Sequence, residues 1–224
     1  MRKHVHVLAA AIAALFLSGV AVAHEAGEVI LRVGLIHAAP DTSSSKIRIG
    51  ADKIQGSSVN VRRDTEFGLS ATYMIMRHFG LEVLAATPFT HEVRVKGVDP
   101  GIDGKLGEVS HLPPTVSAQF FFLDPKSRFQ PYVGLGLTYT SFYNEKLTRN
   151  QKNNGFSKFK AEDSLGISPQ LGMDFKIGDN LILNTSVWRL GMSSKVKAKY
   201  LGQDVKVDVD VDPWVYFLGV GYKF

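Results

Sequence analysis

Apolar residues recur at every second position through most of the chain, the period of a strand with one apolar face. The more apolar parity runs through Val29, Leu31, Val33 and Leu35, then Phe67, Leu69, Ala71, Tyr73 and Ile75, then Leu81, Val83 and Ala85. It continues through Val116, Ala118, Phe120 and Phe122, through Val133, Leu135, Leu137 and Tyr139, and through Leu165, Ile167, Pro169, Leu171, Met173 and Phe175. Leu181, Leu183, Thr185 and Val187, then Trp214 through Phe224 on alternate positions, complete a set of eight strands. Short connections near residues 76–80, 123–128 and 177–180 alternate with long polar ones near 38–63, 96–110 and 144–162. Short turns at one end and long loops at the other are the pattern of an outer-membrane barrel.

The start of the chain supports export. Arg2 and Lys3 precede an apolar run from Val7 to Leu17, and Ala21-Val22-Ala23 offers small residues for cleavage. Residues 1–23 therefore read as a secretory signal peptide and residues 24–224 as the mature domain. The mature part contains no run of ~18 uncharged apolar residues, so no transmembrane helix is expected. A closed barrel is the way left for strands to span a bilayer, because hydrocarbon leaves open strand edges unsatisfied. The expected fold is all-β: an eight-stranded antiparallel transmembrane barrel with short periplasmic turns and long extracellular loops.

Composition narrows the chemistry. The chain has no cysteine, which excludes disulfides, thiol catalysis and cysteine-ligated metals. Its 26 basic and 21 acidic residues give a formal charge of +5. The basic residues of the long loops, among them Lys46, Arg48, Lys53, Lys105 and Lys152, suit lipopolysaccharide phosphates better than nucleic acid. No Walker motif, dinucleotide fingerprint or zinc-helix motif is present. Ser110 and His111 are strand neighbours pointing to opposite faces, so they form no nucleophile–base pair. His91 and His111, symmetric about Gly101, read as structural cross-strand partners and not as a metal site. Neither an enzyme nor a cofactor is indicated.

The last hairpin permits a register. A two-residue turn at Gly202-Gln203 pairs Lys197 with Asp208 and Lys195 with Asp210, opposite charges that support each other across the ladder. It also pairs Lys199 with Lys206 and sets Trp188 directly across from Phe217. Those charges lie on the parity that is apolar lower down, so this part of the wall stands above the membrane, where lipid-facing charge carries no penalty.

The opposite parity points into the lumen. Arg32, Glu82, Asp174 and Lys223 lie near the periplasmic ends and read as a salt-bridged plug; a catalytic carboxylate pair is the lesser reading, because no nucleophile accompanies it. Above them the inward positions turn apolar, with Leu84, Ala86 and Pro88 on the third strand, Trp188, Leu190 and Met192 on the seventh, and Phe217 on the eighth. Seven glycines share this parity: Gly68, Gly134, Gly136, Gly166, Gly172, Gly219 and Gly221. They make room for a guest or accommodate large residues facing them. A hydrophobic passage and a filled core are both open readings.

Several motifs resemble the OmpW family of small outer-membrane proteins: residues 24–28 (HEAGE), 84–91 (LAATPFTH), 111–115 (HLPPT), 129–134 (FQPYVG), 211–215 (VDPWV) and the terminal 221–224 (GYKF). The resemblance spans the mature chain in order. It implies uptake of small hydrophobic molecules through an apolar lumen, gated by Leu84 and Trp188. It also implies a lateral exit into the membrane near Pro88, whose missing N–H weakens the ladder. The terminal Phe224, with Tyr222 on the same face, resembles the signal read by the barrel-assembly machinery. The resulting expectation is a passive outer-membrane channel in contact with lipid and lipopolysaccharide; the alternative is a structural or surface-receptor barrel with a filled lumen.

Overall fold

The computed structural model describes residues 26–99 and 102–224; the signal-peptide reading of residues 1–23 lies outside them. The strands in chain order are β1 (Val29–Ala39), β2 (Ser43–Ser44), β3 (Arg48–Ile49), β4 (Asp52–Lys53), β5 (Ser58–Val61), β6 (Asp64–Met76), β7 (Phe79–Ala86), β8 (Phe89–Lys96) and β9 (Gly104–Leu112). They continue with β10 (Thr115–Phe121), β11 (Phe129–Leu147), the helix α1 (Arg149–Asn153), β12 (Phe156–Ala161), β13 (Ser164–Lys176), β14 (Leu181–Arg189), β15 (Ser193–Tyr200), β16 (Gln203–Asp210) and β17 (Trp214–Lys223). No helix among the described residues is long and apolar enough to cross a membrane.

Eight of these strands close a barrel. In order around the wall they are β1, β6, β7, β10, β11, β13, β14 and β17, every pair antiparallel, with β17 returning to β1. Each therefore pairs with its sequence neighbours in the barrel, which needs no crossover connection. The apolar parity read from the sequence faces out. Phe67 is 67% exposed and Leu165 is 69% exposed, and Leu135, Ile167 and Leu218 are similarly bare. Phe79, Phe122, Phe175, Tyr222 and Phe224 ring the periplasmic rim, and Tyr139 and Trp214 stand at the upper one. Such a band between aromatic girdles is stable only against lipid.

Above the upper girdle the wall continues further than the sequence suggests. All four upper connections contribute strands: β5, β8, β9 and the upper half of β11 form one sheet, and β12, β15, β16, β3 and β4 form another, with β2 on β16. Inward Val59, Val93, Leu106, Phe156, Val205 and Val207 pack between the two sheets. Segments such as Val93-Arg94-Val95-Lys96 alternate buried and exposed residues over too few positions to stand out beside their many charges.

The last hairpin turns at Leu201-Gly202, both with positive φ (49° and 85°), and not at Gly202-Gln203. Two positive φ values fit the type I′ geometry that matches strand twist. The register is therefore two residues away from the expected one, and every side chain keeps its face. Lys195 faces Asp208, Lys199 meets Asp204 at 3.5 Å, and Lys197 faces Lys206. The barrel pairs below follow the same register, so no bulge intervenes; Trp188 is opposite Val215, and Phe217 is opposite Ser186.

Candidate functional site: the barrel interior

The interior is layered from bottom to top. Ile30, Met74, Phe121, Tyr132 and Ile182 close the periplasmic end. Above them lies the charged layer. Arg32 on β1 donates through Nε to Asp174 Oδ1 at 3.0 Å and through Nη2 to Asp174 Oδ2 at 2.5 Å, a two-point grip on a carboxylate from β13. Its Nη1 donates to Thr72 Oγ1 at 2.7 Å and stands 3.8 Å from Glu82. Thr72 donates to Gln119, Gln119 to Gln170, and Gln170 Nε2 to Glu82 at 2.9 Å, which completes a ring of polar side chains. Asn184 adds a bond to Asp174 and another to the Tyr132 hydroxyl. Arg32 and Glu82 are each 1% exposed. A buried arginine with two carboxylates is tolerable when every remaining donor and acceptor is bonded, as this ring arranges.

Lys223 is buried opposite Ile30 on β1, and its backbone N–H bonds the Asn180 carbonyl at the periplasmic turn. Its position one residue from the end of the chain puts it below the charged layer. Thr72, Tyr132 and Gln170 carry no charge to mark them in the sequence; each shares inward parity with a residue that stands out, Gln170 standing four positions from Asp174.

The next layer is apolar. Leu84, Trp188 and Phe217 pack with Ile36, Phe89, Leu190 and Val215. Leu84 is 4% exposed and Trp188 1%. The indole meets Phe217 edge to face with centroids 6.4 Å apart, and its Nε1–H has no hydrogen-bond partner. The seven inward glycines give way to neighbours at several levels of the interior. A Cβ at Gly68 would overlap Ile36, one at Gly172 the Tyr132 ring, and one at Gly219 would stand 2.6 Å from Phe217. They accommodate neighbours and leave no room for a guest. The interior holds a cavity of about 20 Å³ lined by Leu84, Ala85, Ala86, Phe89, His111 and Pro113, and another of about 30 Å³ in the upper core. Each holds about one or two water-sized groups. In this conformation the lumen above Glu82 is filled.

The lower of these cavities reaches a break in the wall. The β7–β10 ladder ends at Leu84 opposite Thr115, and the β8–β9 ladder begins at Phe89 opposite His111. Between them Ala85–Pro88 faces Leu112–Pro114 without pairing, and Pro88, Pro113 and Pro114 have no N–H to give. Four residues against three also shift the alternation by one place. Pro88 is consequently exposed, not inward as its parity suggests, and Phe89 takes the inward position at 2% exposure.

Above the break, Phe89, His91 and His111 form a stack. The two imidazoles lie 4.9 Å apart and near parallel, on paired strands but one diagonal step apart, since Phe89 is the residue opposite His111. His91 bonds the backbone of Arg62, and Nδ1 of both rings is buried without a partner. Burial, and then the neighbouring His91, holds His111 down to about 3, so the ring is neutral. Among the described residues no three His, Asp or Glu side chains gather in a metal-binding group.

At the lower rim, Phe224 and Tyr222 are exposed on the lipid face with ring centroids 4.8 Å apart, and the Tyr222 hydroxyl accepts from Asn180 at 3.2 Å.

A model of the OmpW family matches residues 25–224, the described domain from end to end. The chain belongs to the OmpW family. Outer membrane protein W of Vibrio cholerae is 38% identical over 203 residues, covering 90% of this chain and 91% of that protein. Outer membrane protein W of Escherichia coli is 37% identical over 210 residues, covering 93% of each. The crystal structure of OprG from Pseudomonas aeruginosa superposes with a TM-score of 0.87 at 42% identity, covering 90% of this chain and 98% of that one. This OmpW-family barrel is accordingly a protein of the bacterial outer membrane, as its exposed apolar band requires.

Proposed function

We propose that this barrel admits small hydrophobic molecules from outside the cell and releases them sideways into the membrane. The observation that carries this reading is the meeting of an apolar interior layer with an unpaired stretch of wall. The cavity beside Leu84 touches Ala85 and Pro113, which border the proline-lined break. The charged ring of Arg32, Asp174 and Glu82 seals the route straight down, so an apolar solute finds its lowest barrier laterally, where lipid begins. A wall built only for strength has no use for three prolines facing each other across a missing ladder.

The filled lumen means that this conformation is closed. Passage requires Leu84, Trp188 and Phe217 to change rotamers, a motion that side chains in an apolar layer make without breaking hydrogen bonds; Trp188 has none to lose. The same filling favours a second reading, a structural or surface-receptor barrel whose core never opens. Uptake of a labelled apolar solute into proteoliposomes separates the two. Transport above the protein-free rate supports the channel, and its absence supports the structural barrel.

A further inference from the structure

Five basic residues stand in one line across the outer face of the wall above the membrane. Lys160 is opposite Lys197 on β12 and β15, Lys197 is opposite Lys206 on β16, Lys206 is opposite Arg48 on β3, and Arg48 is opposite Lys53 on β4. Residues directly opposite in a ladder share a face, and all five are exposed. With strands ~4.8 Å apart, the row runs roughly 19 Å around the barrel.

Like charges directly across a ladder are destabilising, and the flanking rows of the same sheet avoid them. Lys199 meets Asp204 at 3.5 Å on one side, and Lys195 is opposite Asp208 on the other. Within the row, Glu162 pairs with Lys197. Among the described residues no carboxylate lies within ion-pair distance of Lys160, Lys206, Arg48 or Lys53. Arg48, Lys195, Lys197 and Lys206 line an open groove of about 620 Å³ together with Asp204 and Asp208. A sheet that neutralises its neighbouring rows and leaves this one cationic is arranged for an anion from outside the chain.

Height identifies the anion. Arg189 is opposite Trp214 at the upper aromatic girdle, and Lys197 lies eight residues further along the same hairpin. At ~3.3 Å per residue and a tilt near 40°, that is roughly 20 Å above the girdle. The row thus stands above the lipid phosphates, level with the sugars of the surrounding outer leaflet. We infer that it binds the phosphorylated core oligosaccharide of neighbouring lipopolysaccharide, a chain of phosphate groups that five cations in register can follow.

The test uses the purified full-length barrel in detergent, titrated with lipopolysaccharide carrying a phosphorylated core and with the same material after removal of the core phosphates. The variant Arg48→Gln/Lys206→Gln is compared with Arg63→Gln/Lys96→Gln, which removes equal charge from exposed positions elsewhere on the upper wall. The inference expects wild type and the control to prefer the phosphorylated core, and the row variant to lose about tenfold in affinity for it. It also expects the row variant to unfold no earlier than wild type without lipopolysaccharide, since repulsion is relieved. Equal binding of the two lipopolysaccharides by wild type, equal loss in control and row variants, or destabilisation of the ligand-free row variant would each overturn it. So would tighter binding of a soluble acidic polysaccharide than of lipopolysaccharide.

Discussion

Trp188 and Phe217 meet edge to face at 6.4 Å although they are not opposite each other in the ladder; each reaches diagonally over the other's partner, Val215 and Ser186. Two large rings thereby close the apolar layer from adjacent strands, with Leu84 across the interior. A charge in this layer would be an unpaired ion in a dry setting. We predict that Trp188→Arg and Leu84→Arg assemble but transport apolar solutes at least ~10-fold more slowly, which corresponds to little more than 1.4 kcal/mol of added barrier. Lys195→Ala on the outer wall should leave uptake unchanged. Arginine variants that transport at the wild-type rate would move the route out of the lumen and favour the structural barrel.

Much of this architecture is legible in the chain, because a period of two with one lipid-facing side leaves a strong trace. Val33, Leu35, Leu135 and Leu165 are bare where alternation puts them outward, and Arg32, Glu82 and Asp174 are buried where it puts them inward. What alternation does not carry is register. Leu201 occupies a left-handed conformation that a leucine seldom adopts, so the sequence invites a turn one residue later. Pro88 misleads in a related way, since parity counted from Leu84 holds only while the ladder lasts. The glycines are ambiguous for a third reason: the residues they accommodate come from other strands. Tyr132 and Gly172 are opposite each other on β11 and β13, a pairing that exists only once the register is known.

The terminal residues bear on assembly. Phe224 is exposed in the periplasmic aromatic girdle beside Tyr222, while its backbone N–H bonds Val29 across the closing seam at 2.9 Å. If the barrel-assembly machinery reads this outward aromatic row, deleting Phe224 should lower outer-membrane levels severalfold. Purified protein should still fold in detergent, since the two backbone hydrogen bonds that Phe224 exchanges with Val29 contribute only about 1 kcal/mol each. Normal membrane levels in the deletion strain would remove this role from Phe224.

The charged layer should be costly to break from one side. Arg32→Met leaves Asp174 and Glu82 buried without their cation, a change that typically costs ~3–5 kcal/mol. Urea unfolding in detergent should show a clearly lower midpoint. Adding Asp174→Asn should restore part of the loss, because one uncompensated charge is gone and Asn184 can still bond the amide. An Arg32→Met variant with the wild-type midpoint would mean that the ring adds nothing to stability.

The histidine stack should make stability depend on pH in a window set by His111. Its pKa is held down to about 3 from an ordinary value of 6.5, chiefly by burial and then by His91. Below pH 6.5 the unfolded chain takes up a proton that the folded chain refuses, so stability is complete above that value and declines as pH falls toward 3. His91 is shifted in the same direction by burial, partly offset by Asp64 and its bond to the Arg62 backbone. Carboxylates such as Glu92 and Glu162, held below their ordinary values by lysines, begin to contribute only nearer pH 4. Among the groups above the membrane, the two stacked histidines are therefore the ones whose protonation separates folded from unfolded chain between pH 7 and 5. Thermal unfolding in detergent should shift to lower temperature over that interval, and His111→Phe, which keeps a flat ring against Phe89, should flatten the dependence. Parallel curves for wild type and His111→Phe would assign the pH effect to another group.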